Sequence, residues 1–246
     1  MSGASPRSYQ LQAQETVCTD TTSVLCIGNS FTHFYSTAVM LREIAWSNGH
    51  WVSVKESSPG GYTFNRHLRE QRTLKLIEMR DAYDVTLIQN QSEANAWYAE
   101  DPVRFNLIAS DAVELCERIR EYSPKVRVVL ECTWSYPGKN RKYSYYGSYE
   151  AFDRMLTKGT EKIAAKCHCG TSPIGKAFAI IRNSNPEIDL LHSDRHHSSK
   201  EGAYLKSCVN YLIIFGGDFA EGTSDCGLPA ETAAALRKAA KLAVGK

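Results

Sequence analysis

Short apolar runs alternate with longer amphipathic segments along this chain of 246 residues. The first run, 24–27, ends at Gly28 and small polar residues, and an amphipathic segment near 33–48 follows. This order predicts a strand, a tight turn and a helix. Four further strands are predicted at 51–55, 84–89, 126–130 and, with the weakest pattern, 188–191. Helices are predicted near 64–80, 102–122, 148–168, 198–215 and 230–244.

Strands that alternate with helices indicate a mostly parallel sheet of about five strands with helices on both faces, a three-layer α/β/α sandwich. Asp101-Pro102 and Gly216-Gly217 have the chemistry of a helix start and a helix end. The chain contains no repeat, low-complexity block or second-domain boundary. The sequence therefore predicts a mobile tail over 1–22 and a single domain over 23–246.

Composition narrows the class of protein. A hydrophobic fraction of 43% with 23% charged residues is typical of a globular domain that buries a sizeable core. The net charge of +2 is too small to favour nucleic acid or an anionic membrane as the main partner. No apolar run approaches membrane-spanning length. The tail has no apolar h-region, so we expect no signal peptide in the chain as it stands. The compartment stays open between the cytoplasm and, if a signal was removed, the periplasm or the cell exterior.

In a parallel sheet, sites form at the carboxyl ends of the strands, so the residues after each strand are the candidates for chemistry. Ser30 follows the first strand at the start of a helix, where unpaired backbone N–H groups can stabilise an oxyanion. Ser30 is therefore a candidate nucleophile. The alternative is that Ser30 or Thr32 only caps the helix.

The loops after the second, third and fourth strands carry further candidates. Gly61, in a Gly-Gly pair, allows a backbone N–H to approach a ligand closely. Asn90 and Gln91 lie in a run of carboxamides that offer NH₂ donors, although such a loop can equally cap a helix. Trp134 and Tyr136 begin a basic, aromatic loop over 134–146 that suits a sugar ring or an acyl chain. A loop folded on its own tyrosines is the alternative.

Two Asp-x-x-His spacings compete after the predicted fifth strand. Asp189 and His192 straddle apolar strand residues, so their side chains point to different faces. Asp194 and His197 lie in the following loop, and a capping box predicts that the next helix starts at Ser198. A carboxylate at that spacing can hold the imidazole by Nδ1 and leave Nε2 free. We therefore favour Asp194 and His197, with His196 as an exposed neighbour.

Metal sites are the remaining chemical possibility. Of the eight cysteines, three lie in apolar runs and are predicted as core residues: Cys26, Cys132 and Cys208. Cys167-His168-Cys169 resembles half a zinc site but lacks a second ligand pair, so thiols at a helix terminus are the favoured interpretation. The side chains of His192, Asp194, His196 and His197 are dense enough in sequence to bind zinc.

Taken in order, these blocks resemble the SGNH hydrolase superfamily, also called GDSL-like esterases. Gly28-Asn29-Ser30-Phe31 matches the first block, with Asn where Asp is commoner, Gly61 matches the second, and Asp194 to His197 match the last. The third block departs, because the family's Asn position falls on Gln91. The combination with a late Gly-Ala-Tyr-Leu segment resembles a bacterial branch with no well-defined function.

The resemblance implies a flavodoxin-like SGNH fold and a serine esterase without metal or organic cofactor. Ser30 would be the nucleophile, His197 the general base and Asp194 its partner. The oxyanion would bind the Ser30 and Gly61 N–H groups and the Gln91 amide, with Asn90 as the next candidate. The expected substrate is a small-molecule or oligosaccharide ester, above all an acetyl ester on carbohydrate, with Trp134 and Tyr136 as contacts.

Other functions stay open at this point. The fold would also suit a lipid esterase, a thioesterase or a non-catalytic carbohydrate-binding module. A metal-dependent hydrolase could use the cluster of His192, Asp194, His196 and His197. The oligomeric state is open.

Overall fold

A parallel sheet forms the centre of the protein. The computed structural model describes residues 20–98, 101–137 and 146–246. Within these ranges the sheet has five strands in the order β2-β1-β3-β4-β5, and every pair is parallel. The strands are β1 (Thr22–Ile27), β2 (Val52–Ser57), β3 (Val85–Ile88), β4 (Arg127–Glu131) and β5 (Gly170–Ser172). The predicted α/β architecture is confirmed, and Thr22, the last residue of the predicted tail, already belongs to β1.

Helices cover both faces of the sheet. In chain order they are α1 (Ser30–His33), α2 (Thr37–Ser47), α3 (Phe64–His67), α4 (Gln71–Ile77), α5 (Pro102–Tyr122), α6 (Tyr149–Lys166), α7 (Ile174–Ser184), α8 (Lys200–Phe215) and α9 (Ala230–Val244). Single 3₁₀ turns lie at Phe34–Ser36 and Ala94–Tyr98. The predicted caps are confirmed, because Asp101 caps α5 and Gly216 ends α8.

Two of the predicted helices are interrupted. The segment near 33–48 breaks at Tyr35 and Ser36, whose φ angles of 52° and 54° are left-handed and cannot continue a right-handed helix. The segment near 64–80 divides into α3 and α4. The helix start predicted at Ser198 lies one residue later, because Ser199 Oγ caps the Gly202 N–H of α8 while Ser198 pairs with Leu191.

Strand residues alternate between two cores. Val24 and Cys26 of β1 join the core beneath α2, α7, α8 and α9, while Leu25 and Ile27 join the core beneath α3, α4, α5 and α6. Because successive side chains of a strand point to opposite faces, a continuous apolar run of this kind fits a sheet buried on both sides. Cys26, Cys132 and Cys208 are buried, as predicted.

The fifth strand predicted at 188–191 is wrong. The edge strand is Gly170–Ser172, which pairs with β4 alone and so needs no apolar run. Leu190 packs into the helix-covered core, and Leu191 makes only an isolated antiparallel bridge to Ser198. The sequence analysis also missed α7, although its apolar residues have helical spacing: Ile174, Ala177, Phe178 and Ile181.

The strand order places a topological switch point at the carboxyl end of β1. The chain passes from β1 to β2 through α2 on one face of the sheet and from β3 to β4 through α5 on the other face, so β1 and β3 form a topological switch point. Ligands bind at such switch points in open α/β sheets. Across residues 20–98, 101–137 and 146–246, none of the helices combines the length and apolar character that crossing a bilayer requires.

Candidate active site

The turn after β1 presents Ser30 at the first position of α1. Asn29 caps this helix through its Oδ1, which accepts the Phe31 N–H at 3.1 Å. Gly28 is required here by close approach, since a Cβ on it would lie 2.3 Å from Thr32 Oγ1. Ser30 is therefore half-buried at the carboxyl end of the central strand β1, on a short, capped helix.

A chain of hydrogen bonds joins Ser30 to the loop that precedes α8. Ser30 Oγ lies 2.8 Å from His197 Nε2, and His197 Nδ1 lies 2.6 Å from Asp194 Oδ2. Asp194 Oδ1 also accepts the backbone N–H groups of His196 and His197 at 2.9 and 3.0 Å. These contacts fix the imidazole by one nitrogen and direct the other at the serine hydroxyl.

The electrostatics of Asp194 keep it ionised. Partial burial raises the pKa of this carboxyl, but its hydrogen bonds from the His197 ring and from two backbone N–H groups outweigh burial and hold the pKa well below its usual range. The His197 ring stacks on Phe34 with centroids 4.1 Å apart and an interplanar angle of 9°. The imidazole of His197 is thus held by a carboxylate at one nitrogen and by the aromatic face of Phe34.

The competing pair is not assembled. Asp189 Oδ2 is 2.5 Å from the Arg195 guanidinium, and His192 Nδ1 is 3.6 Å from Asp194 Oδ2. His196 directs Nε2 to Ser92 Oγ at 3.2 Å. In the described part of the chain, no three His, Cys, Asp or Glu side chains are placed to hold one metal ion, the cluster of His192, Asp194, His196 and His197 included. Cys167 is the residue that caps the end of α6, as the helix-terminus interpretation predicted.

The Asn29 side chain connects the three loops of the site. Its Nδ2 donates to the Tyr62 carbonyl at 3.0 Å and to the Asn90 carbonyl at 3.2 Å. The first of these bonds holds the loop with Gly61, whose φ of 70° is left-handed and suits glycine. The loops after β1, β2 and β3 therefore meet at one carboxamide.

The two candidate carboxamide donors have different surroundings. Asn90 is only 2% exposed, and its Nδ2 donates to Asn95 Oδ1 at 3.2 Å. Gln91 is half-buried, with its Nε2 on Ser92 Oγ at 2.9 Å and its Oε1 accepting the Glu93 N–H at 3.2 Å. Gln91 is the one of the two that a substrate could reach.

The substrate contact predicted for Trp134 is wrong. Its ring is fully buried between Phe31 and Phe178, with centroid distances of 4.3 and 4.6 Å, and Nε1 donates to the His196 carbonyl. A ring covered on both faces has no surface for a sugar. Tyr136 is half-buried and its hydroxyl lies 2.9 Å from Ser92 Oγ. Residues 138–145 of the predicted aromatic loop lie outside the described residues.

The solved structures with similar backbones share this arrangement of sheet and helices. A DUF4886 family protein from Bacteroides uniformis has a TM-score of 0.78 at 20% identity, over 92% of this chain and 95% of that one. A protein described as a candidate SGNH hydrolase from Slackia heliotrinireducens has a TM-score of 0.63 at 20% identity, over 79% and 100% of the two chains. This chain has the SGNH hydrolase fold. The resemblance seen in the sequence blocks is thereby confirmed at the level of the fold.

Esterases with this SGNH fold are also among the similar structures. Axe2 of Geobacillus stearothermophilus, described as an acetylxylan esterase, has a TM-score of 0.55 at 16% identity, over 81% of this chain and 96% of that one. No protein-family model matches the chain, and no curated protein matches it either.

Two residues of this SGNH-fold site escaped the sequence analysis. Phe34, which stacks on His197, lies one helical turn after Ser30, and that spacing is the signal that could have indicated it. Ser92 connects Gln91, Tyr136 and His196 through its hydroxyl. No pattern in the sequence indicated this role of Ser92, because Tyr136 and His196 come from two loops that are distant in sequence.

Proposed function

We propose that this protein is a serine esterase of SGNH type that hydrolyses short-chain esters, acetyl esters above all, on carbohydrate. The observation that carries the proposal is the continuous hydrogen-bond chain from Ser30 through His197 to Asp194. A hydroxyl within reach of an imidazole that a carboxylate orients is the arrangement used to activate a serine nucleophile.

In the proposed reaction, Ser30 Oγ adds to the ester carbonyl carbon while His197 Nε2 takes the hydroxyl proton. The tetrahedral intermediate expels the alcohol, which receives that proton from His197. Water then attacks the acyl-serine with His197 again as base, and the acid is released as Ser30 regains its proton. Asp194 stays ionised and stabilises the imidazolium.

The oxyanion is assigned to the Ser30 and Gly61 N–H groups and to the Gln91 amide. The start of α1 supplies the first donor, and the bond from Asn29 to the Tyr62 carbonyl brings the Gly61 loop alongside. An amide nitrogen has two hydrogens, so Gln91 can keep its bond to Ser92 while it donates to the substrate. Preorganised donors of this kind stabilise charge that develops in the transition state.

For the acceptor, we assign the sugar contact to Tyr35 in place of Trp134. Tyr35 is 44% exposed and follows Phe34, the residue that stacks on His197. Its ring centroid lies 6.5 Å from that of His192. A partly exposed aromatic ring next to Phe34 suits stacking on a pyranose ring, and Axe2 supports an acetylated sugar as the substrate class.

Single substitutions in the hydrogen-bond chain test the proposal. Ser30→Ala and His197→Ala should each lower kcat for p-nitrophenyl acetate by about 10³-fold or more, because the members of a triad act as a unit. Ser193→Ala is the matched control, an exposed serine on the same loop, and should retain wild-type kcat. Loss of activity in His192→Ala together with an active His197→Ala would contradict the assignment of the base.

Chelation tests the metal-dependent alternative. Activity should survive exhaustive EDTA treatment, because Ser–His–Asp chemistry requires no Lewis acid. Activity that is lost on chelation and restored by zinc would instead favour the histidine cluster. A folded protein without esterase activity would favour the carbohydrate-binding module.

A further inference from the structure

A buried ion pair lies beneath the nucleophile turn and takes no part in the proposed proton transfers. Lys206 of α8 and Glu131 at the end of β4 have side chains that are 2% and 3% exposed, and Nζ lies 2.6 Å from Oε2. Removing two charges from water is costly, and apolar residues of similar volume often stabilise a fold as well or better. A contribution to stability therefore does not explain why two charged residues occupy these buried positions.

The ammonium group of Lys206 contacts the two residues that follow Ser30. Besides Glu131, Nζ donates to the Phe31 carbonyl at 3.1 Å and to Thr32 Oγ1 at 3.3 Å. An ammonium has three hydrogens, and all three are used. Lys206 thus holds both the backbone and a side chain of α1 immediately after the nucleophile.

The same network continues to the residue before Ser30. Thr32 Oγ1 donates to Gln89 Oε1 at 2.9 Å, and this oxygen also accepts the Asn29 N–H at 3.1 Å. Lys206, Thr32 and Gln89 therefore fix the backbone on both sides of Ser30. A shift of this turn would move Ser30 Oγ away from His197 Nε2. It would also move the Ser30 backbone N–H relative to the oxyanion.

Glu131 anchors the network to the sheet. Its second oxygen, Oε1, accepts the Asn210 Nδ2–H at 2.7 Å, and Asn210 Oδ1 accepts the Ser172 hydroxyl at 2.7 Å. Hydrogen bonds thus run from the edge strand β5 through α8 to the nucleophile turn. Each charged group is satisfied, which is the condition under which a buried polar network makes a structure rigid.

We propose that Lys206, neutralised by Glu131, is a positioning residue that holds Ser30 in its reactive geometry. The inference rests on the proposed esterase function, and it adds a residue that touches neither the substrate nor the reacting atoms. Its effect is expected in kcat more than in KM, because misplacement of a nucleophile affects the chemical step.

The test uses a double substitution, since Lys206→Met alone would leave Glu131 buried and uncompensated. Lys206→Met/Glu131→Gln removes both charges and keeps an acceptor for Asn210. We expect this variant to retain cooperative thermal unfolding and to lose about 10- to 100-fold in kcat for p-nitrophenyl acetate, with KM little changed. Lys241→Met, which breaks the surface pair with Asp218, is the matched control and should keep wild-type kcat.

A second pair of variants probes the link through Thr32. Thr32→Val removes the hydroxyl at nearly constant volume and should lower kcat, as the double substitution does. Thr32→Ser keeps the hydroxyl and should retain most of the wild-type activity. Wild-type kcat in the folded double variant, or a kcat loss of equal size in Thr32→Val and Thr32→Ser, would overturn the proposal.

Amide hydrogen exchange separates this inference from the esterase proposal. In the double variant, the Phe31, Thr32 and His33 amides should exchange faster than in the wild type, while those in the centre of α5 stay protected. An inactive wild-type protein would contradict the esterase function and leave this exchange comparison as the deciding measurement. Unchanged exchange at these three amides would then overturn the role of Lys206.

Discussion

At the scale of single residues, the hydrogen bonds of Asn29 explain why an amide suits the position before Ser30. An Asp at this position could cap α1 as Asn29 Oδ1 does, but it has no hydrogen to donate. The Nδ2 group of Asn29 instead donates to the Tyr62 and Asn90 carbonyls. A carboxylate here would face two carbonyl oxygens, so the amide is what allows three loops to meet beside Ser30.

Gln91 is the residue on which the oxyanion assignment depends. Gln91→Ala should lower kcat for an acetyl ester by about 10²–10³-fold with little change in KM, because an oxyanion donor acts mainly in the transition state. Gln91→Glu should be at least as damaging, since a carboxylate would repel the oxyanion.

Asn90→Ala is the matched comparison for Gln91. Because Asn90 is buried and hydrogen-bonded to Asn95, we expect Asn90→Ala to lower the melting temperature clearly and to change kcat only slightly. Steady-state kinetics and thermal melts on the three variants decide the matter. A near-wild-type Gln91→Ala enzyme beside a folded but inactive Asn90→Ala enzyme would transfer the donor role to Asn90.

At the scale of elements, a stack of three aromatic rings packs the loop after β4 between α1 and α7. Trp134 lies between Phe31 and Phe178, at interplanar angles of 4° and 6°. Since Phe31 adjoins Ser30, and Trp134 Nε1 donates to the His196 carbonyl, the stack also supports the loop that carries His197. The stack has a structural role that affects the site indirectly.

Trp134→Ala should therefore behave as a core substitution. We expect a loss of about 3–5 kcal/mol in the free energy of unfolding, measured by urea titration, from the cavity left behind. Its kcat/KM for p-nitrophenyl acetate and for an acetylated xylo-oligosaccharide should fall by equal factors. Tyr35→Ala should impair only the acetylated sugar, because stacking binds the acceptor and not the acetyl group. A sugar-specific loss in Trp134→Ala would contradict this division.

At the scale of the whole molecule, a buried histidine should make stability depend on pH. His67 has no exposed surface, with Nε2 at 2.8 Å from the Gly28 carbonyl and Nδ1 at 2.9 Å from Thr73 Oγ1. Burial lowers its pKa below the ordinary value of 6.5, against opposing contributions from the Gly28 carbonyl and the Glu70 carboxylate. The folded protein therefore favours the neutral ring.

The sign of the effect follows from proton linkage. Below pH 6.5 the unfolded chain takes up a proton that folded His67 resists, so the unfolded state binds more protons and the free energy of unfolding falls as the pH falls. Asp194 does not contribute just below pH 6.5, because its carboxyl is already ionised in the unfolded chain, with an ordinary pKa of 3.8, and in the folded protein its pKa is lower still. Urea titrations at several pH values give the free energy of unfolding as a function of pH. Below pH 6.5 this free energy should change less steeply with pH in His67→Gln than in the wild type. An unchanged pH dependence would contradict the role assigned to His67.

Local patterns in the sequence determined most of the elements. Apolar runs predicted β1, β3 and β4, because strands buried on both faces need apolar residues at successive positions, and the alternation over 51–55 predicted β2. The Asp101 and Gly216 caps follow from backbone chemistry at a helix end. The three-residue spacing also placed Asp194 beside His197, since a single turn brings those side chains together.

Tertiary structure decided what no local pattern contains. Ser30 and His197 are 167 positions apart and meet because the loop between α7 and α8 packs against the turn after β1. β5 is strand only through pairing with β4, and Trp134 is buried because two distant helices supply rings for both of its faces. Lys206 and Glu131 each have the sequence appearance of a surface charge, and only the fold removes them from water and directs the ammonium to the turn that carries Ser30.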